Sequence, residues 1–142
     1  MIVLDTNVVS ELMRPAPDSD VANWVDSLDV SDLLLTAVTA AELMYGVARL
    51  PDGRRRGELR AKMEGLLAED FRDRILPFDA LAATHYADIV ADRERSGRQI
   101  SFADGQIAAI CRNWNVGLAT RNVSDFAGTG VELINPWDSA TP

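Results

Sequence analysis

The chain has one cysteine, one histidine and one lysine in 142 residues, and each scarcity closes a route to function. Cys111 alone excludes an intramolecular disulfide and any cysteine-rich metal site, and its apolar neighbours Ile107 and Ile110 point to a buried thiol. His85 alone, in a helix-like stretch, leaves a histidine-based triad or zinc site without support. No apolar run approaches the roughly 20 residues of a membrane span, and no charged leader precedes the first apolar run. A soluble, cytosolic protein with no membrane role is expected. Positive charge is scarce too: the net charge is −8, and Lys62 is the only cation that is not arginine. Such a chain meets a phosphate backbone poorly unless something else supplies positive charge. The run Arg54-Arg55-Arg56 reads as a solvated helix start in preference to a phosphate contact. An acidic protein can also be one half of a pair whose other half is basic.

What is present fits one α/β domain over residues 1–142. The hydrophobic content of 47% suffices at this length to bury about two-thirds of the unfolded surface. Ile2-Val3-Leu4 is a short unbroken apolar run that ends in Asp5, followed by Thr6 and Asn7, which favour caps and turns: a buried strand entering a helix. Pro15-Ala16-Pro17 stops that helix, and Asp18 or Ser19 caps a second one carrying Val21, Trp24, Val25 and Leu28. Leu33 to Thr36 reads as the next strand. Thr39-Ala40-Ala41-Glu42 then has the form of a capping box, placing Glu42 in a helix's first turn. Pro51-Asp52-Gly53 breaks this helix, and Leu59, Met63, Leu66, Leu67 and Phe71 mark another. Arg74-Ile75-Leu76 is a third strand, and Asp79 caps a long helix that stops at Gly97. Ser101-Phe102-Ala103-Asp104 is a second capping box. Val116 to Thr120 forms a fourth strand, Arg121 to Phe126 a turn-rich loop, Val131 to Ile134 a last strand, and residues 137–142 a polar tail. Strands alternating with helices give a mainly parallel sheet of about five strands flanked by helices in three layers.

In such a sheet the carboxyl ends of the strands and the N-termini of the following helices share one edge, where ligands bind. Asp5, Glu42, Asp104 and Asp125 all belong to that edge. Each also has a structural explanation, since a carboxylate suits a helix cap and the positive end of a helix dipole. Carboxylates gathered there repel one another unless a cation intervenes. With no Cys or His nearby, that cation is a hard one with oxygen ligands, Mg²⁺ or Mn²⁺.

Four blocks carry a resemblance: Asp5-Thr6-Asn7 after an apolar strand, Thr39-Ala40-Ala41-Glu42-Leu43, Ala103-Asp104, and Ala119-Thr120-Arg121-Asn122-Val123-Ser124-Asp125-Phe126. In order and spacing they resemble the signature blocks of PIN-domain ribonucleases, specifically the VapC/FitB-type toxins of type II toxin–antitoxin pairs, from Met1 through Asn135-Pro136-Trp137. The resemblance implies a Rossmann-like PIN sheet and metal-dependent hydrolysis of RNA. It also implies a core triad of Asp5, Glu42 and Asp104, with Asp125 as fourth acid. It further implies a basic-tailed, DNA-binding antitoxin of the VapB/FitA kind, a homodimer, and larger assemblies on promoter DNA.

The residue types suit that chemistry, because a carboxylate-held ion acidifies water and offsets charge on phosphate without any side-chain nucleophile. Thr6, Asn7 and Thr120 would orient ligands or phosphate, or else make local turn hydrogen bonds. Arg121 would meet substrate phosphate or stay solvated. Two rival enzyme classes fail on single residues. A haloacid-dehalogenase-type phosphatase needs an acid where Asn7 stands, and a response-regulator receiver needs a lysine after a late strand, whereas Lys62 lies mid-chain. The remaining alternative is a non-catalytic module whose acidic pocket grips a basic partner.

Overall fold

In the computed structural model, which describes residues 1–138, the chain lays down β1 (Ile2–Leu4), α1 (Thr6–Leu12), α2 (Ser19–Asp26), β2 (Leu33–Thr36), α3 (Ala37–Ala48) and α4 (Arg54–Gly65). It continues through β3 (Ile75–Leu76), α5 (Ala80–Arg95), α6 (Phe102–Trp114), β4 (Gly117–Ala119) and β5 (Leu133–Ile134). The strands form one sheet in the order β3-β2-β1-β4-β5, and every pairing is parallel.

Alternation along the central strands builds two cores. Ile2, Leu4, Leu33 and Leu35 turn to one face, where they meet Val8, Val9, Val21, Leu43, Val47 and Met63 of α1 to α4. Val3, Leu34 and Leu118 turn to the other, against Ala82, Ile89, Ile107 and Ile110 of α5 and α6. Both faces are covered, which is why these strands read as unbroken apolar runs instead of alternating with polar residues. The expected three-layer α/β fold is the observed one.

Strand order places the site. From β1 the chain moves outward to β2 and β3, then returns across α5 and α6 to β4 on the opposite side of β1. The segments leaving β1 and β4 therefore part in different directions, and a crevice opens at this switch point. The backbone N–H of Asp5 donates to the Ala119 carbonyl at 2.9 Å, so the ladder holds up to the residue where the crevice begins.

Helix starts follow the sequence with one correction. Asp18, Asp79 and Ser101 cap α2, α5 and α6 through their side chains. The box proposed at Thr39 is displaced: Thr36, the last residue of β2, caps α3 by accepting from the Thr39 N–H at 3.1 Å. Glu42 thus lies in the second turn of α3, not the first. A threonine stands at both positions, and the earlier one wins because it is fixed by the sheet. The arginine run is, as expected, a helix start: Arg54 and Arg55 are exposed and Arg56 partly covered, with Arg54 paired to Glu58 and Arg56 to Asp52. The last two strands are shorter than read: Val116 and Thr120 lie outside β4, and Val131 and Glu132 outside β5. Trp137, read as the start of a polar tail, packs against the first core; residues 139–142 of that tail lie outside the described residues.

Candidate active site

Asp5 follows the last residue of β1 and caps α1. The residue is 5% exposed. Oδ1 accepts from the Thr6 N–H at 2.9 Å, and Oδ2 accepts from the Thr120 hydroxyl at 2.7 Å and the Asn7 side-chain amide at 3.3 Å. Asn7 in turn accepts the Arg121 N–H at 3.2 Å, and Thr120 Oγ1 accepts the Asn122 N–H at 3.1 Å. The loops after β1 and β4 are thereby knitted together around one carboxylate. Of the three residues read as orienting groups or turn formers, Asn7 and Thr120 fix Asp5 through their side chains and Thr6 through its backbone N–H.

Glu42 reaches the same crevice from α3 and is tied to it by Thr6, whose hydroxyl donates to Glu42 Oε1 at 2.7 Å. The Thr6 and Thr39 hydroxyls lie 3.2 Å apart beneath. Asp104 enters from the first turn of α6 on the opposite side of the sheet. Its approach depends on Gly105, because a Cβ there would stand 2.9 Å from Tyr86 Cε2 of α5. Asp5, Glu42 and Asp104 line one cleft with Thr6, Asn7 and Arg121.

Asp125 is placed differently. It sits exposed in a short 3-10 turn, Val123–Phe126, and does not line the cleft, although its charge is felt at Asp104. The turn is anchored by buried Arg93 of α5, which donates to the Ala127 carbonyl at 2.6 Å, and by Arg98, which donates to Ser124 O at 3.2 Å.

Electrostatics set the cleft's demand. Burial pushes the Asp5 carboxyl above the ordinary carboxylate range, and the Glu42 charge adds to this, while hydrogen bonds from Thr120, Thr6 and Asn7 oppose it. Asp104 is raised by burial first, then by the charges of Asp5 and Asp125, with Ser101 and Arg93 pulling the other way. Among the described residues no three carboxylates close to the spacing at which they alone would grip one ion. Mg²⁺ does not require that, since it keeps several waters and binds through one or two carboxylates. An all-oxygen set of mutually repelling acids therefore fits a hard divalent cation. Cys111 offers nothing here: burial first, with the Asp5 charge adding, pushes its thiol up to about 12, and an un-ionised thiol is a poor nucleophile and ligand.

The sequence reading missed Glu11, Arg14 and Trp137, which also line the cleft. Glu11 is buried, accepts the Asp18 N–H at 3.0 Å and pairs with Arg14 at 3.3 Å. Its signal was available, since it lies four residues after Asn7 on the same face of α1. Trp137 had none, as its place depends on where the chain runs after β5. A second, more apolar groove runs on from Thr6, Arg14 and Glu42 between α1, α3 and α4, over Leu43, Val47 and Leu59.

The PIN domain model matches residues 2–130. The chain is 44% identical over 140 residues to the VapC ribonuclease Y4jK of Sinorhizobium fredii, covering 99% of this chain and all of that one. It is 42% identical over 137 residues to the toxin FitB of Neisseria gonorrhoeae, covering 96% and 99%. The solved FitAB complex bound to the IR36 DNA fragment contains a chain of the same fold, with a TM-score of 0.91 at 42% identity and 96% of each chain covered. With the domain model and full-length relatives in agreement, this chain belongs to the PIN-domain family, in its VapC/FitB branch.

Proposed function

We propose that the chain is a Mg²⁺- or Mn²⁺-dependent endoribonuclease, the toxin of a type II toxin–antitoxin pair. The observation that carries this reading is the convergence of Asp5, Glu42 and Asp104 on one cleft at the switch point of the sheet. Asp5, Glu42 and Asp104 would hold the ion, directly or through the waters it keeps, with the Asp125 charge felt from beside Asp104. When bound, the ion supplies Lewis-acid chemistry, acidifying water and offsetting charge on the phosphate. The chain's own part is positional. Thr120 and Asn7 fix the Asp5 carboxylate, Thr6 fixes Glu42, and the burial of Asp5 keeps bulk water away from one side of the cleft. The test is cleavage of structured RNA by the purified chain in Mg²⁺ or Mn²⁺ against an EDTA control. Cleavage confined to the metal-containing samples is expected. Equal cleavage in EDTA would remove the metal, and no cleavage under any condition would favour the binding-module alternative.

The partner in this reading is a basic-tailed, DNA-binding antitoxin, and the toxin acts in the cytoplasm as a homodimer within a larger assembly on promoter DNA. A net charge of −8 supports a basic partner, as does the FitAB likeness. The apolar groove between α1, α3 and α4 shares Thr6, Arg14 and Glu42 with the acidic cleft. A partner segment lying in it would carry a basic side chain to the carboxylates in place of metal. Exposed Leu81 and Phe102, near the N-terminal ends of α5 and α6, suit the dimer contact. Co-expression with the neighbouring small basic gene product should rescue growth and give one complex on a sizing column; rescue without a complex would contradict direct inhibition.

A further inference from the structure

Arg121 and Trp137 stand together on one wall of the acidic cleft. The Arg121 guanidinium lies over the indole, 5.0 Å from the ring centroid. Its own backbone N–H is bound to Asn7, so the arm springs from the same web that fixes Asp5. The indole packs on the first core, and the residue's backbone N–H donates to Asn135 Oδ1 at 3.0 Å. Among the described residues Arg121 forms no ion pair, whereas the cleft's other cation, Arg14, is neutralised by Glu11.

We infer that this pair is the cleft's subsite for one unpaired nucleotide of the RNA, the guanidinium taking its phosphate and the indole stacking its base. The inference rests on the nuclease reading and deepens it. A phosphate approaching a cleft lined by four carboxylates, of which only Glu11 has an arginine partner, needs a cation that is not already paired, and Arg121 is that cation. As the guanidinium turns to the phosphate it uncovers the ring. A base then replaces it with gain, because base–aromatic stacking is stronger than an exposed cation–π contact. Every base has a flat face, so the subsite selects single strands and is tolerant of sequence; a duplex keeps its bases stacked on one another and cannot offer one.

The test uses the full chain carrying Asp104→Asn, to suppress cleavage, in Mg²⁺ buffer with a labelled RNA hexanucleotide. Anisotropy gives affinity and indole emission reports contact with the ring. Single-stranded RNA should quench the emission and a duplex of the same sequence should not. Trp137→Phe should keep affinity within a few-fold but lose the quench, although Trp24 and Trp114 remain. Arg121→Ala should weaken binding by about tenfold and lower the slope of log Kd against log salt by about 0.7, the loss of one phosphate contact. Arg121→Lys should restore that slope. An unchanged quench in Trp137→Phe, or unchanged affinity and slope in Arg121→Ala, would overturn the subsite while RNA cleavage by the wild type left the nuclease reading intact. Failure to bind RNA together with failure to cut it would sink both.

Discussion

Asp5 caps a helix and lines the cleft at once, and its burial has a cost. Its carboxyl is raised above its ordinary value of 3.8, chiefly by burial. A group raised in the folded state adds stability that is complete only below the unfolded value and is lost as pH rises through the folded one. Ionised Asp5 therefore favours the unfolded chain at neutrality. Asp5→Asn keeps the shape and the cap but turns an amide NH₂ toward the Thr120 and Asn7 donors, and should make the metal-free protein more stable near pH 7 by at most about 1.4 kcal/mol per unit of elevation. That advantage should shrink as pH falls toward 3.8, and melting curves in EDTA at a series of pH values follow it. Thr120→Val acts oppositely. It strips Asp5 of its 2.7 Å donor in a fully buried position, and a midpoint loss in urea equivalent to about 1–3 kcal/mol, at unchanged slope, is expected. The sequence offered Asp5 and Thr120 only as separate candidates. No periodicity links residues 115 positions apart, and their bond exists because β1 and β4 are neighbours.

At the scale of elements, most of the fold was legible, because apolar runs with caps before them and prolines or glycines after them leave few alternatives. Legibility failed where two residues competed for one role. Thr36 and Thr39 both stand at the start of α3, and only the sheet decides that Thr36 is the cap. Thr36→Ala should therefore lower stability by about 1 kcal/mol, roughly 2–4 °C in melting temperature for a chain of this size. Thr39 is distinguished by its contact with Thr6, so Thr39→Ala should disturb Glu42 more than the helix start. Gly105 tests the α5–α6 contact that brings Asp104 in. Alanine is the better helix former, yet its Cβ would stand 2.9 Å from the Tyr86 ring, itself edge-on to Phe78 and Phe102, and 3.3 Å from Val90. Overpacking of this kind costs about 1–3 kcal/mol, so Gly105→Ala should melt earlier despite the gain in propensity.

Across the whole molecule, the acids are distributed so that the site is assembled by topology alone. Two come from helices on opposite faces of the sheet, α3 and α6, and one from the strand between them. That edge was predictable from the order of elements. Asp125's place beside the cleft and Trp137's place within it were not, since both depend on loops that follow no periodic rule. No described helix is long and apolar enough to cross a membrane. The central claim is that the acidic cleft is a divalent-cation site with Asp5 at its centre. It is tested most directly by the melting temperature of wild type and Asp5→Asn as Mg²⁺ is titrated. At an ion concentration of ten times Kd, wild type should gain about 1.4 kcal/mol, roughly 3–6 °C. Asp5→Asn should start higher in EDTA and gain little. Equal gains in both proteins, or none in the wild type, would contradict the claim.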